Sequence, residues 1–277
     1  MRCTLNTLGR TVVSLVFFMS FQIFAELPAR ASAEQQVLVD ATKLLNRSVR
    51  FVERERTGEI NELYMDPATG SIPFCMLSFE LFLSIIEKRY ILSIPWHDVS
   101  FDSQNQQFVM KTIKTGRGGE LEPLPYKPDV HQAISPSEAE QIFSHYESQN
   151  LLQQKRVRLG AEQNIPVVEI IRLINIPIYS GGNVLGRAEK YFMNLDTGMV
   201  RMVLVNYIRD GHLTEDFVMI PFPVLNFDPS EFTYRLTVPE STFSQAPYSP
   251  NPVDNYYPLD EMKKVYSKFG LTNLLGK

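Results

Sequence analysis

Residues 58–79, GEINELYMDPATGSIPFCMLSF, align without a gap on residues 186–207, GRAEKYFMNLDTGMVRMVLVNY, at an offset of 128. Gly58 falls on Gly186, Met65 on Met193, and Thr69-Gly70 on Thr197-Gly198. The match continues on both sides. Ile94-Pro95-Trp96 meets Ile220-Pro221-Phe222 and Phe101-Asp102 meets Phe227-Asp228 at an offset of 126, while Leu44–Val49 meets Leu173–Ile178 at 129. Pro125-Tyr126-Lys127-Pro128 meets Pro247-Tyr248-Ser249-Pro250 at an offset of 122, with Pro136 falling on Pro258. The small drifts are loop insertions and deletions, so the repeated unit is a whole domain of about 120 residues rather than a short motif. Any fold proposed for the chain has to be built twice.

The first 33 residues lie outside the duplication. Arg2 and Arg10 precede an almost uncharged run from Thr11 to Ala25, followed by Leu27-Pro28 and the small-residue site Ala31-Ser32-Ala33. Basic, then apolar, then A-x-A is the order of a secretory signal peptide, and an apolar run of about fifteen residues is short of the roughly 20 that a membrane span needs. Cleavage is expected after Ala33, with Ala31 as a second site and an exported, periplasmic or secreted product. Cys3 precedes the apolar run and is not placed as a lipoprotein cysteine. Removing Arg2, Arg10, Arg30 and Glu26 takes the net charge from −4 to −6, which gives no attraction to a phosphate backbone and disfavours nucleic acid as a partner. Cys75 becomes the remaining thiol. Its place in the apolar pattern Ile72–Leu77 suits a buried small hydrophobe, with an intermolecular disulfide as the alternative.

Each copy predicts short strands joined by turns. Asp66–Gly70 and Asn194–Gly198 are turn sequences, since an Asx side chain can accept from the backbone ahead of it and glycine takes positive φ. Strands are expected over Ile60–Met65 and Ala188–Met193 before the turns, and over Ile72–Phe79 and Met199–Tyr207 after them. A last pair follows the Ile-Pro step, Val99–Phe101 with Gln107–Ile113 and Val224–Phe227 with Thr233–Val238. Five or six short strands in about 70 residues suit a small closed or partly open barrel. After a proline-rich link, Ser135-Pro136 and Tyr257-Pro258 open helices running to about Leu152 and Phe269, because proline in a first helical turn forfeits no hydrogen bond. Ile142, Phe143 and Tyr146, like Met262, Val265, Tyr266 and Phe269, share one face. The expected class is mainly β: two tandem small β-barrels, each followed by a proline-rich link and an α-helix, with residues 1–33 as leader, 34–154 as the first repeat and 155–277 as the second.

These motifs, in this order and twice over, resemble the PRC-barrel family. They are the opening strands Leu44–Val49 and Leu173–Ile178, Gly58 and Gly186, the turns Asp66–Gly70 and Asn194–Gly198, and Ile94-Pro95-Trp96 with Ile220-Pro221-Phe222. The resemblance covers roughly residues 37–114 and 165–239. It implies a PRC-type barrel in each repeat, acting as a scaffold or protein-binding module rather than an enzyme. Two departures stand out. Asn46 and Asn175 occupy positions where the family often has glycine, and asparagine also tolerates a left-handed backbone. Phe222 replaces the tryptophan in the second copy, so a role that needs an indole is confined to Trp96.

Catalytic motifs do not emerge. His97, His131, His145 and His212 are not within metal-ligand spacing of one another, and no zinc, nucleophile-elbow, Walker or dinucleotide motif is present. No catalytic, cofactor or metal residue is assigned. The candidate interaction surface has three parts. In the first copy the two central strands are joined by Leu81, Phe82, Leu83, Ile85 and Ile86, where the second has the polar Arg209–Glu215. An exposed apolar cluster of this kind marks a contact surface, and a packed one would lie between the barrels or under a terminal helix. Trp96 and His97, beside Asp98, form the second part, and Tyr248, Tyr256 and Tyr257 in a proline-rich segment form the third. The expected function is non-enzymatic protein binding or assembly, with an unidentified protein or a second copy as partner. The alternatives are a small-ligand or hydrolase site between the barrels around Trp96, and peripheral membrane contact through residues 81–86.

Overall fold

The computed structural model describes residues 37–51, 56–83, 86–105, 107–110, 133–145, 166–209, 211–244, 246, 248–249 and 255–275, with side chains described except at 56, 79–90, 143–145, 215 and 248–249. In chain order the elements are β1 (Val37–Asp40), β2 (Ser48–Phe51), β3 (Arg56–Met65), β4 (Phe74–Leu83), β5 (Ile86–Pro95), β6 (Val99–Asp102), β7 (Gln107–Met110) and α1 (Pro136–His145). The second repeat adds β8 (Val168–Glu169), β9 (Pro177–Ser180), β10 (Asn183–Asn194), β11 (Met199–Arg209), β12 (His212–Pro221), β13 (Leu225–Asp228) and β14 (Thr233–Leu236). It closes with α2 (Glu240–Phe243), β15 (Tyr248–Ser249), β16 (Tyr256–Pro258) and α3 (Leu259–Lys268). The protein is mainly β, as expected, and its strands form two sheets.

The sheets repeat one topology. The first runs β5-β4-β3-β2-β7-β6 and the second β12-β11-β10-β9-β14-β13, extended by β15 on β12. In both, the pair that brings the last hairpin onto the first strand is parallel, β2 with β7 and β9 with β14, and the neighbouring pairs are antiparallel. Asn46 and Asn175 sit at φ 62° and 64°, the left-handed backbone that asparagine tolerates. Each then donates its backbone N–H inward, Asn46 to the Ile60 carbonyl at 2.6 Å and Asn175 to that of Ala188 at 2.7 Å.

The repeats are not self-contained. β1 belongs to the first repeat by sequence, yet it pairs with β10 (Val39 opposite Met193, Asp40 opposite Phe192) and with β16 (Leu38 opposite Tyr257). β8 belongs to the second repeat and pairs with β3, placing Glu169 opposite Tyr64 and Val168 opposite Met65. Each repeat thus lends its leading strand to the other. Residues 36–277 accordingly form one compact unit, and a boundary between 154 and 155 divides the sequence repeats without dividing the fold. One apolar core runs through both repeats, including Leu38, Val39, Leu63 and Ile94 together with Val168, Ile178, Phe192 and Val203.

The helices follow their expected starts. In α1 the buried Ala139 and Ile142 pack with Tyr64, Phe74 and Met76 in a smaller apolar cluster on the first sheet. Its start is held by a reciprocal cap, with the Glu138 carboxylate accepting from the Ser135 backbone N–H at 2.8 Å and the Glu138 N–H donating to the Ser135 hydroxyl. The expected continuation to Leu152, including Tyr146, lies outside the described residues, as does the side chain of Phe143. α3 buries Met262, Val265 and Tyr266 against the second sheet, and the Tyr266 hydroxyl donates to the Arg201 carbonyl at 3.0 Å.

Burial pushes the Tyr257 and Tyr266 hydroxyls up to about 12, and those of Tyr191 and Tyr234 further. An unfolded tyrosine ionises near 10, so the unfolded chain releases these protons first as pH rises. Their contribution is therefore fully present below about pH 10 and lost as pH climbs toward 12. Urea unfolding at stepped pH is expected to show stability falling over that window, with a shallower fall in Tyr266→Phe.

Candidate functional site

The contact between the repeats is built from the two D/N-x-x-x-G turns and the two residues that follow the Ile-Pro steps. In the first turn the Asp66 carboxylate accepts from the Ala68 N–H at 2.9 Å, and in the second the Asn194 carboxamide oxygen accepts from the Thr197 N–H at 2.9 Å. These bonds hold each turn so that its glycine takes positive φ, 75° at Gly70 and 65° at Gly198. The turns then bond to each other: Ile72 N–H donates to the Gly198 carbonyl at 2.7 Å, and Val200 N–H to that of Gly70 at 2.8 Å.

An aromatic ring closes each side of this contact. β5 ends at Pro95, and Trp96, starting a tight 3₁₀ turn, donates its backbone N–H to the Pro73 carbonyl at 2.9 Å. The indole lies over Gly198 so closely that a Cβ there would stand 2.5 Å from its Cδ1. Its Nε1–H crosses the repeat boundary to donate to the Leu195 carbonyl at 2.9 Å. On the mirrored side Phe222 covers Gly70 in the same way, without a polar group to donate. Trp96 is only 3% exposed. Its expected place on an open surface is corrected: the glycine turn opposite leaves a hollow that an aromatic ring fills, and burying the ring removes it from water.

His97 is exposed beside it, with Nε2 3.3 Å from the Asp98 carboxylate. Burial holds the Asp98 carboxyl above its ordinary range, and the neighbouring His97 pulls it back down. Among the described residues no three His, Cys, Asp or Glu side chains gather into a group that could hold a metal. No described helix is long and apolar enough to cross a membrane.

The described ends of the tyrosine segment, Tyr248-Ser249 and Tyr256-Tyr257, pair into the second sheet. Tyr248 enters β15 opposite Val218, its side chain being outside the described set. Tyr256 lies half-buried opposite Val39. Tyr257, opposite Leu38, is 8% exposed, with its ring 5.8 Å from that of Phe192. Tyr257 as a surface residue is therefore also corrected: it packs beneath the strand that the first repeat lends.

Leu81, Phe82, Leu83 and Ile86 fall on the β4–β5 ribbon, at backbone positions opposite Lys88, Glu87, Ile86 and Leu83. Ile85 lies outside the described residues, as do the side chains of the other four. β3 accompanies β4 as far as Phe79, opposite Gly58, and beyond that point four ribbon pairs follow, from Glu80 with Arg89 to Leu83 with Ile86. In the second repeat β10 accompanies β11 to Tyr207, and among the described residues two pairs follow, Ile208 with Leu213 and Arg209 with His212. That shorter tip is polar, with Arg209 3.5 Å from Asp216 and its guanidinium over the Tyr207 ring. The first ribbon is thus longer as well as more apolar in sequence.

Cys75 is fully buried beside the β5 residue Ile94, and burial pushes its thiol up, which keeps it from acting as a nucleophile or an intermolecular bridge. Sequence reasoning overlooked Leu38-Val39-Asp40 and Val167-Val168-Glu169 as the segments that cross between repeats. A signal was present, because the two triplets match at the same offset of 129 as the strands that follow them. Neither protein-family models nor curated proteins give a match to this sequence. The resemblance to the PRC-barrel family accordingly rests on the motifs and their order.

Gly198→Ala combines a left-handed φ with a clash against Trp96 and is expected to cost about 1–3 kcal/mol in chemical denaturation. Trp96→Phe gives up one hydrogen bond and part of the ring volume, at about 1–2 kcal/mol. Because the two positions touch, the double variant is expected to cost less than the two losses added, the smaller ring relieving the clash.

Proposed function

We propose that this is an exported, non-enzymatic protein whose two PRC-type barrels serve as a protein-binding or assembly scaffold, with the β4–β5 ribbon as its contact surface. The observation that carries this is the ribbon's reach past β3. Four strand pairs continue where the matching hairpin has two, and the sequence there places Leu81, Phe82, Leu83, Ile85 and Ile86 against a polar tip in the sister repeat. A two-stranded ribbon lacks a sheet face of its own for so many apolar side chains, so it is stabilised by a partner that covers them. The inter-repeat contact supports the same reading. The place where a ligand cleft would open beside Trp96 holds the indole itself, packed on Gly198.

The test is Phe82→Asp with Ile85→Asp in the full chain. Unchanged thermal stability with loss of the partner that cross-links to the wild type in its native compartment supports the surface. Loss of folding would place these residues in a core and overturn it. Flotation of the wild type with liposomes, abolished by the same pair, would make a membrane the target instead of a protein. Export carries its own check: sequencing the mature protein from the native host is expected to start at Glu34.

A further inference from the structure

We infer that this protein pairs with a second copy of itself by exchanging the segment Val37–Leu44, so that β1 of one copy completes the second sheet of the other. The inference goes beyond the β4–β5 ribbon and stands whether or not that ribbon binds anything. Its basis is where β1 makes its bonds. Among the described residues, all of its strand pairing is with the second repeat, β10 on one side and β16 on the other. The 3₁₀ turn that follows, Ala41–Leu44, also packs on β10, and the chain returns to its own repeat only beyond Leu45, where the Asn46 N–H reaches the Ile60 carbonyl. The segment is therefore a removable insert held by a sheet that does not depend on which chain supplies it.

The slot is specific. Leu38 and Val39 are 1% and 8% exposed, and the Asp40 carboxylate is wholly buried with its Oδ2 3.8 Å from the Lys190 ammonium. Asp40 Oδ1 accepts from the Thr42 N–H at 3.0 Å and the Thr42 hydroxyl at 2.8 Å, and the Asp40 backbone N–H donates to the Asn255 carbonyl at 2.9 Å. The matching slot takes Val167-Val168-Glu169, the same apolar, apolar, acidic order, with Val168 and Glu169 paired to β3 and Val167 bridged to Ile134. Each repeat is thus completed by a strand of that pattern arriving from another unit, and a second copy carries the same strand. Exchange between copies re-forms the strand bonds of β1 to β10 and β16, and asks the turn beyond it, where the Leu45 N–H meets the Thr42 carbonyl and the Arg47 N–H meets that of Leu44, to open as a hinge. What differs is a tether against free encounter, so the balance is set by the effective concentration of the tethered strand, on the order of millimolar.

The test uses the full chain with cysteines at facing positions of β1 and β16, in two alternative pairs because adjacent antiparallel positions alternate between close and wide spacing. They are Val39→Cys with Tyr256→Cys, and Leu38→Cys with Tyr257→Cys, facing each other in the register. With the two changes of a pair on separate copies, mixed at up to about millimolar concentration and oxidised, a disulfide-linked dimer is expected that neither single variant forms alone. With both changes in one chain, the disulfide locks the strand at home, and the dimer fraction measured by light scattering is expected to fall at least severalfold below that of the wild type. A wild type that stays monomeric across the whole concentration range overturns the inference, whether or not the cysteines close. So does a dimer that persists unchanged in the locked chain. The Phe82→Asp, Ile85→Asp chain is expected to exchange as the wild type does, which separates this outcome from the fate of the ribbon.

Discussion

The crossing of β1 and β8 is the constraint on which the rest of the structure depends. A short leading strand bonded within its own repeat would leave two domains free to turn about their link. Lent to the neighbour instead, it welds the apolar interiors of the two repeats into a single core. The cost of freeing either repeat then includes exposing Leu38 and Val39 on one side and Val167 and Val168 on the other, at about 1.5–3 kcal/mol for each side chain. It also includes breaking the backbone bonds of both crossing strands. Cooperative unfolding of residues 36–277 as one unit follows from that linkage.

The glycine turns work within this frame. Once the crossing strands bring the repeats face to face, Gly70 and Gly198 are close enough for their carbonyls to accept from the opposite chain segment. The aromatic rings of Trp96 and Phe222 fit only because neither glycine has a Cβ. The two sides are chemically unequal. Trp96 adds a hydrogen bond to Leu195 that Phe222 cannot make, and in the second repeat Tyr191 and Tyr234 bring hydroxyls into an interior where the first repeat has Leu63 and Phe108 at the matching positions. The Tyr191 hydroxyl finds the Leu173 carbonyl at 2.7 Å.

Much of this was legible in the chain. The hairpin strands on either side of Asp66–Gly70 and Asn194–Gly198 fall where alternation and turn residues put them; α1 begins at Pro136, and α3 begins at Leu259 with Pro258 as its N-cap. Asn46 and Asn175 take the left-handed backbone that their place in the motif requires. The candidate site was less legible. Trp96 and Tyr257 read as surface aromatics, because a tryptophan or tyrosine beside proline has the same local pattern whether it meets solvent or another part of the chain. The ribbon's apolar character was visible in the sequence, but its reach past β3 depends on where pairing stops, which is a matter of register.

The sequence by itself determined the repeat, the strands, the turns and the helix starts, since these follow from the spacing of side chains along a few residues and from glycine, proline and asparagine backbone preferences. Only the tertiary structure decided which sheet receives each leading strand. Leu38-Val39-Asp40 would satisfy the same alternation and the same hydrogen bonds on either repeat, so local physics is indifferent to the choice. The difference lies in the length and path of the connection and in the slot where Lys190 faces the Asp40 carboxylate and the Asn255 carbonyl accepts the Asp40 N–H. These come together only when residues more than a hundred positions away have already folded.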